Sequence, residues 1–291
     1  MDPASVFEEH RSLLFTIAYE ITGTVTDAED VLQESYLRWS TVDSDNIGNQ
    51  RAYLAKTVTR QALNSLRTTQ RRREDYIGPW LPEPVMTLPD VAEDAVLADS
   101  LSFAMLVVLE SLSPDERAVF VLREVFDFPY SEIAEATGKT LAAVRQLAHR
   151  AKEHVEARQP RFEVDAHRQK AVTDRFIAAT LSGDIQTLMD VLAPGAVLLP
   201  DGGGKVSAAR RPVIGADHVA RFLLGIASKP VPDMRVEMSM LNGMPAILIY
   251  SGGRIDLAVI VESNNEHVTG LYLVRNPDKL GAATVAREVT R

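Results

Sequence analysis

SPDERAVFVLREVFDFPYSEIAEATGKTLAAVRQLAHRAKEHV, residues 113–155, is the stretch that decides the fold of this chain. It opens with Ser113-Pro-Asp-Glu116, which has the form of a capping box with proline at the first helical position. A capping box satisfies two of the free N–H groups at a helix start, so the stretch predicts a helix that begins here. The apolar spacing carries that helix to about Val125.

The second half of the stretch predicts two further helices joined by a tight turn. Ser131 can cap a short helix over residues 132–136, and Thr137-Gly138-Lys139 then makes a turn. Thr140 can cap a final helix that runs through Val155. A short helix, a glycine turn and a second helix are the layout of a helix-turn-helix.

The residues before this stretch also predict helices. Apolar residues recur at helical spacing from Val6 to Ile21, and a second helix is predicted from Asp27 to about Trp39. A polar stretch, residues 41–50, separates it from a third helix at 51–71. Four prolines then predict a linker over residues 74–95, and a helical pattern resumes over residues 96–112.

After residue 160 the pattern changes from helices to strands. Amphipathic helices are predicted at 166–182, 184–193 and 216–227. Asn242-Gly243 is a strong tight-turn pair between two apolar runs, 236–241 and 246–250, and Asn264-Asn265 separates two more, 255–261 and 268–274. Helices followed by an antiparallel sheet predict an α+β domain.

Charge is distributed unevenly along the 291 residues. The net charge is −9, and residues 1–160 hold the excess, with 16 Lys/Arg against 26 Asp/Glu. Two stretches are basic instead: residues 51–73 hold seven Lys/Arg and no acid, and residues 136–152 hold four and no acid. The overall charge argues against a nonspecific nucleic-acid binder, whereas two local basic stretches indicate selective DNA contact at two places.

Composition excludes several other classes. The chain has no cysteine, so disulfides and thiolate metal sites are excluded. No apolar run reaches the roughly 18 residues of a membrane span, and the acidic N-terminus lacks the layout of a signal peptide. We therefore expect a cytoplasmic protein without a membrane partner, metal or cofactor.

The motifs together resemble an extracytoplasmic-function sigma factor of the sigma-70 family. Residues 27–39 resemble the core-binding helix of sigma region 2, and residues 113–152 resemble sigma region 4. The last 120 or so residues resemble a SnoaL-like cone of the NTF2-like superfamily. Trp80-Leu-Pro-Glu-Pro84, Asp201-Gly-Gly-Gly-Lys205 and Asn276-Pro-Asp-Lys-Leu280 resemble the signature strings of the group that carries this extension.

The resemblance implies a multidomain fold, with two all-α sigma domains followed by an α+β SnoaL-like cone. The expected domains are sigma region 2 at 1–73, a Pro-rich linker at 74–95, sigma region 4 at 96–160, a SnoaL-like regulatory domain at 166–282 and a tail at 283–291. Such a chain binds core RNA polymerase and promoter DNA, and with a built-in regulator it requires no separate anti-sigma factor.

The second predicted helix is the expected contact with the polymerase core. Complementary charge would steer assembly there, and a buried tryptophan would anchor it. The pattern alone equally fits a solvated acidic face with a tryptophan in the protein's own core. The expected core-polymerase-binding residues are Asp27, Glu29, Asp30, Gln33, Glu34 and Trp39.

The third helix and the loop before it are the expected contact with the −10 region. Lys and Arg side chains on the helix can bond phosphates, which fixes position but reads no base. By resemblance, the loop captures an extruded base of the melted strand, and polar side chains suit that task. The expected −10 DNA-binding residues are Asn46, Asn49, Arg51, Lys56, Arg60 and Arg67.

The last helix of the helix-turn-helix is the expected reader of the −35 region. Leu141, Val144 and Leu147 are expected to face the protein core, which leaves a polar row toward the DNA groove. Arg suits guanine and Gln suits adenine at the major-groove edge. The expected −35 DNA-binding residues are Lys139, Thr140, Arg145, Gln146, His149 and Arg150.

Two departures from the sigma pattern leave the promoter sequence open. Many relatives carry Ser-Arg after the Val-Arg pair, where this chain has Gln146-Leu147. Many also carry Asn and Asp where this chain has Arg60 and Asn64.

The three signature strings are the expected interdomain regulatory residues. The glycines allow close approach, Asp201 and Lys205 offer opposite charges, and Leu280 is expected at the surface as an apolar anchor. The alternative is that the strings form only a stiff spacer, a hairpin turn and a strand terminator. The set comprises Trp80, Pro82, Pro84, Asp201, Gly202, Gly203, Gly204, Lys205, Asn276, Pro277, Asp278, Lys279 and Leu280.

Two alternatives to a sigma factor with a built-in regulator remain. One is an enzyme that uses the SnoaL-like cavity with an Asp/His pair, although Asp190, Asp201, His218, Asp256 and His267 show no such pair in the sequence. The other is a one-component DNA-binding regulator that senses a ligand in the cavity. We expect no enzymatic activity and no catalytic residues.

Overall fold

A computed structural model describes residues 2–43, 47–87, 100–158, 166–287 and 289–290, without the side chains of 70–74 and 166–167. The chain divides into two compact units, one of residues 1–75, 87–159 and 286–291, the other of residues 76–86 and 160–285. The helices of the first unit are α1 Pro3–Thr22, α2 Val25–Trp39, α3 Gln50–Glu74, α4 Phe103–Leu109, α5 Pro114–Phe120, α6 Tyr130–Thr137 and α7 Leu141–Glu156.

Capping residues set the boundaries of the first helices. Gly23 ends α1 with a φ of 79°, and its N–H donates to the Tyr19 carbonyl at 2.8 Å. Thr24 then caps α2 by accepting from the backbone N–H of Asp27 at 3.2 Å. A left-handed residue between two helices suits glycine, which has no Cβ to clash. The apolar stripes of α1, α2 and α3 pack together as a helical core.

The helix-turn-helix forms as the sequence predicts, but its first short helix begins at a different cap. Ser113 and Glu116 complete the capping box, and a π-helical turn, Val121–Val125, continues α5. Helix α6 begins at Tyr130 after Pro129, so the predicted cap by Ser131 is wrong. Pro129, two residues before Ser131, holds the cap position with an extended backbone, and no side chain caps the helix. Helix α4 begins after a Ser102 cap, within the stretch predicted as one helix.

The second unit is an antiparallel sheet with helices on one face, which confirms the α+β prediction. In the described residues its strands run in the order β3-β2-β7-β6-β5-β4-β1, with β2 and β7 paired in parallel and the other neighbours in this order paired antiparallel. The elements are β1 Met86–Thr87, α8 Ala166–Ser182, α9 Ile185–Val191, β2 Leu192–Asp201, β3 Val213–Ile214, α10 Ala216–Ala227, β4 Arg235–Leu241, β5 Met244–Ser251, β6 Arg254–Ser263 and β7 Val268–Val274. Two 3-10 turns, Pro277–Lys279 and Gly281–Thr284, follow, and β8 Ala286–Arg287 belongs to the first unit.

Asn242-Gly243 forms the predicted tight turn between β4 and β5. Both residues have positive φ, 52° and 69°, as a hairpin of this type requires. Alternate residues of β5, β6 and β7, such as Ile247, Val259 and Leu271, face α8, α9 and α10 in one apolar core. The period of two along each strand therefore determines which face of the sheet carries the helices.

The segment predicted as a linker does not form a free spacer between domains. Helix α3 continues to Glu74, and residues 76–86 pack into the second unit, where Leu81 and Val85 are fully buried. The predicted tail also differs, because Val289 is buried in the first unit and the Thr290 N–H donates to Thr16 Oγ1 at 3.3 Å. Residues 88–95 of the predicted linker lie outside the described residues.

Candidate polymerase and promoter interfaces

The exposed side of α2 carries part of the predicted polymerase surface. Asp30 and Gln33 are exposed, and Glu34 is exposed while it accepts from Gln61 Nε2 at 2.8 Å. Leu37 is 59% exposed and lies one turn further along the same side. We call Asp30, Gln33, Glu34 and Leu37 the α2 face. The sequence reasoning missed Leu37, although its spacing of three from Glu34 was a readable signal.

Three residues predicted on this surface are engaged elsewhere. Trp39 is fully buried, and its indole Nε1 donates to the Pro3 carbonyl at 2.7 Å, so its prediction as a polymerase anchor is wrong. The hydrogen bond ties α2 to the start of α1 and satisfies the only polar atom of the indole. Glu29 is half-buried between Arg11, at 2.7 Å, and Arg287. Asp27 is half-buried at the helix start, where its carboxylate accepts from Thr24 Oγ1 at 2.7 Å.

Helix α3 presents the predicted basic surface, and α5 and α6 lie against it. Lys56 Nζ is 2.8 Å from Glu135 Oε2, and Arg60 donates to the Glu135 carbonyl at 3.2 Å. Arg67 Nη2 is 2.8 Å from Asp115 Oδ1. We call Arg51, Lys56, Arg60 and Arg67 the α3 basic face. In this arrangement most of its cations already have acceptors from α5 and α6.

The loop before α3 is described only in part, and Asn46 lies outside the described residues. Asn49 is exposed and its Oδ1 accepts from the Ala52 N–H at 3.0 Å, so its side chain caps α3. The Arg51 guanidinium lies 5.8 Å from the ring centre of Phe128. A cavity of about 240 Å³ opens beside this point, between the start of α3 and α6.

Helix α7 places the predicted base-reading residues on its exposed side. Val144 and Leu147 are buried, but Leu141 is 40% exposed, so its prediction as a core residue is wrong. Leu141 follows the Thr140 cap directly, in a first turn that has less protein around it. Exposed side chains form the row that a DNA groove could meet, namely Thr140, Arg145, Gln146, His149 and Arg150.

Several cationic side chains near this row already contact an aromatic ring or a carboxylate within the protein. Arg145 lies 5.9 Å from the ring centre of Tyr130, and Arg150 Nε is 3.3 Å from Glu116. Lys139 Nζ is 2.7 Å from Asp115. Burial raises the pKa of Asp115, but hydrogen bonds from Lys139 and Arg67 outweigh it and lower that pKa below its usual value.

The three signature strings meet at one buried carboxylate in the second unit. Asp201 accepts from the Tyr76 hydroxyl at 2.5 Å, from the Leu81 N–H at 3.0 Å and from Lys279 Nζ at 2.7 Å. Its backbone carbonyl accepts from the Asn276 N–H at 3.0 Å. We call Tyr76, Trp80, Leu81, Asp201, Asn276 and Lys279 the Asp201 cluster.

Lys279 is the central cation of this cluster. Its ammonium also donates to the Leu81 carbonyl at 2.6 Å and lies 3.4 Å from the ring centre of Trp80. Burial, with the hydrogen bond and charge of Asp201, raises the pKa of the Tyr76 hydroxyl. The sequence reasoning missed Tyr76, which carries no motif of its own and precedes Trp80 by four residues.

The strings therefore differ from the predicted surface anchors. Asn276 and Leu280 are buried, so the predictions of a surface position and of an exposed apolar anchor are wrong. Lys205 pairs with Asp278, and both side chains are exposed at the surface. Gly203 must be glycine for two reasons, since its φ is 62° and a Cβ would lie 2.5 Å from Asn276.

The acids and histidines considered for catalysis bond to their own neighbours. Asp256 pairs with Arg275 at 3.0 Å, Asp190 accepts from Gln186, and His218 Nδ1 lies 3.0 Å from the Ile214 carbonyl. Within the described ranges, no group of three or more His, Asp or Glu side chains could hold a metal ion. No helix in the described part of the chain is long and apolar enough to cross a membrane.

Comparison with known proteins matches both helical regions. The profile for sigma-70 region 2 matches residues 6–72, and the profile for sigma-70 region 4 matches residues 102–155. The chain is 38% identical to the ECF RNA polymerase sigma factor SigJ of Mycobacterium tuberculosis, over 94% of this chain and 92% of that protein. It is 31% identical to the probable ECF RNA polymerase sigma factor SigI of the same species, over 96% and 95%.

A solved structure agrees with the sequence relatives. The crystal structure of M. tuberculosis SigJ superimposes with a TM-score of 0.75 at 35% identity, covering 96% of this chain and 99% of that one. Regions 2 and 4 are both present as helical domains, and the α+β domain follows them, as the predicted fold class has it. The chain therefore belongs to the extracytoplasmic-function sigma factors of the sigma-70 family and directs RNA polymerase to promoters.

Proposed function

We propose that this sigma factor binds core polymerase through the α2 face, the −10 region through the α3 basic face and the −35 region through α7. The observation that carries the proposal is the amphipathic α7. Val144 and Leu147 are buried while Arg145, Gln146 and His149 form an exposed row on the other side. A helix with that division can enter a major groove and keep its anchor in the domain.

The α2 face replaces the predicted tryptophan anchor by an exposed leucine. Acidic groups around an exposed apolar side chain suit a basic partner surface, because charge steers the encounter and the apolar residue adds contact energy. Asp30, Gln33 and Leu37 are exposed. We assign the contact to this set and remove Trp39 from it. Binding takes place in the cytoplasm.

We further propose that the C-terminal domain regulates the sigma regions as a tether, without a separate anti-sigma factor. The Asp201 cluster holds residues 76–86 on the C-terminal domain, and this segment directly follows α3 in the chain. Fixing it limits where region 4 can go relative to region 2. Such a constraint acts by favouring some interdomain arrangements over others.

Point variants test the tether better than truncation. Removing the residues after Pro277 would delete the buried Lys279, and removing everything after residue 161 would also delete Val289, which is buried in the first unit. Tyr76→Phe instead removes one hydroxyl that contacts both Asp201 and Asn276. Tyr250→Phe is the matched control, because that ring lies beside Arg235, outside the cluster.

The measurement is in vitro transcription with core polymerase, with core affinity determined in parallel. We expect Tyr76→Phe to change the transcript yield while core affinity stays at the wild-type value, and Tyr250→Phe to change neither. A lower unfolding temperature of Tyr76→Phe would show that the Asp201 cluster is weakened in that variant. If the transcript yields of both variants and the wild type were then equal, the result would argue against the tether.

A further inference from the structure

We propose that region 4 is a reversible internal cover for the α3 basic face, in which Asp115 and Glu135 occupy the places of DNA phosphates. The proposal rests on the assignment of α3 to promoter phosphates made above. It adds a closed state of the free protein in which those cations are already occupied.

The first support is the chemistry of the contacts on α3. Lys56 and Arg60 both bond to Glu135, one to the carboxylate and one to the carbonyl, and Arg67 bonds to Asp115. A carboxylate offers the charge and the acceptor oxygens that a phosphate would offer to the same side chains. The hydrogen bond from Lys56 lowers the pKa of Glu135, so it is ionised in this state.

The second support is that Asp115 joins the two predicted DNA surfaces. It bonds Arg67 of the −10 surface at 2.8 Å and Lys139 of the −35 surface at 2.7 Å. One carboxylate thereby neutralises a cation on each surface. Asp115 is the second residue of α5, a position where helix geometry also favours an acid.

The third support is steric. The cavity of about 240 Å³ is lined by Asn49 and Tyr53 on one side and by Phe128 and Ile133 on the other. Asn49 is a predicted −10 residue at the start of α3. The cavity leaves a little space at this point, and Phe128 and Ile133 bound it, so a DNA strand that needs more room than about 240 Å³ reaches Asn49 only when α6 moves away.

A buried contact fixes the cover at one end. The Arg117 guanidinium of α5 is fully buried, and its Nε donates to the Glu20 carbonyl of α1 at 2.7 Å. Its Nη1 pairs with Glu110 at 2.6 Å. A cation at the C-terminal end of α1 is favourable because the helix dipole is negative there.

This arrangement allows the cover to open. Arg117 and Glu110 both belong to region 4 and can stay paired when it leaves, whereas the bond to Glu20 is lost. The ion pairs along α3 involve exposed side chains, and such pairs contribute little each and weaken with salt. Phosphates of a DNA strand can therefore displace Asp115 and Glu135 from the exposed α3 pairs, and full opening also breaks the buried bonds from Arg117 and Ser100 to Glu20.

The test measures binding of the free, full-length protein to a single-stranded oligonucleotide by fluorescence anisotropy. Asp115→Asn with Glu135→Gln removes both phosphate substitutes. Asp174→Asn with Glu266→Gln makes the same change of charge at exposed sites of the second unit, outside α3, α5 and α6. We expect the first pair to bind on the order of tenfold more tightly, since several cations become available to phosphates, and the second pair to bind like the wild type.

A distance measurement tests the cover independently of affinity. The chain has no cysteine, so Arg38→Cys and Ala157→Cys, both at exposed positions, can carry a donor and an acceptor dye. We expect the dye distance in the wild type to change when the oligonucleotide binds, toward the value that the Asp115→Asn, Glu135→Gln variant shows without DNA.

Two results would overturn the cover: an equal gain in affinity from both charge-matched pairs, or a dye distance that neither DNA nor the first pair changes. Adding Arg67→Ala to the first pair shows whether the cover or the proposed phosphate contact of Arg67 is at fault. If Arg67→Ala leaves affinity unchanged while the dye distance responds as expected, the cover stands and the phosphate role of Arg67 fails.

Discussion

At the scale of single residues, two lysine–aspartate pairs differ in how far their side chains are buried. The Lys279–Asp201 pair has side-chain exposures of 5% and 0%, whereas Lys205–Asp278 has 54% and 61%. Removing one member of a buried pair leaves an uncompensated charge, while an exposed partner is simply hydrated. The Asp201 cluster therefore depends on Lys279 far more than on Lys205.

Lys279→Met should lower the free energy of unfolding by about 3–5 kcal/mol, because Asp201 would lose its buried cation. Lys205→Met should cost less than about 1 kcal/mol. Urea unfolding followed by circular dichroism measures both. Similar losses in the two variants would show that the Asp201 cluster does not depend on its buried charge.

Glu20 predicts a pH dependence. Burial raises its pKa from 4.5 to about 8, while a hydrogen bond from Ser100 and the charge of Arg117 act in the opposite direction. An acid with a raised pKa stabilises the fold fully below pH 4.5, and that contribution decreases as the pH rises and is lost by about pH 8.

Glu20→Gln should therefore flatten the pH dependence of the unfolding free energy between about pH 5 and 8, by up to about 1.4 kcal/mol per pH unit. Glu8→Gln, on the exposed side of the same helix, is the control and should follow the wild type. Thermal unfolding across this pH range gives the comparison, and parallel curves for Glu20→Gln and the wild type would contradict the assignment.

At the scale of elements, the amphipathic patterns of α2 and α7 predict that the helices form, but they do not predict which partner each side contacts. Both helices were predicted from their caps and spacing, and both form. The sequence could not decide which side of α2 holds Trp39, because a core tryptophan and an interface tryptophan fit the same spacing. Three-dimensional contact with Pro3 decides it, and that contact is 36 residues away in the chain.

The α2 face can be tested with two kinds of variant. Leu37→Ala should weaken association with core polymerase by about 1 kcal/mol or more, and Asp30→Lys should weaken it mostly at low salt, where charge steers the encounter. Leu181→Ala, an exposed leucine on α8, is the control. Unchanged affinity for both α2 variants at low salt would remove this face from the interface.

Helix α7 can be tested by the pattern of losses across sequences. Arg145→Ala should cost about 1–3 kcal/mol at one position of the −35 region if it contacts a base, whereas Arg67→Ala should weaken all promoters alike and lower the salt dependence. Binding to promoter variants by the polymerase holoenzyme measures both. An even loss across all sequences for Arg145→Ala would make it a phosphate contact.

At the scale of the whole molecule, local signals predicted the elements but not their long-range contacts. Asn242-Gly243 and the Thr140 cap act through neighbouring residues, so the sequence suffices to place them. The packing of residues 76–86 on the C-terminal domain depends on Asp201 and Lys279, which are 120 and more residues away. The contacts of Asp115 and Glu135 with α3 likewise join residues about 50 to 80 positions apart, beyond any periodic pattern.

The central claim is promoter recognition through two helical regions, and transcription from a library of randomised promoters by core polymerase with this chain tests it most directly. We expect selected transcripts to share a −10 and a −35 sequence block, and Arg145→Ala to relax the −35 block alone. No transcripts above core polymerase alone, or a selected −35 block that Arg145→Ala and the other α7 variants leave intact, would contradict the account.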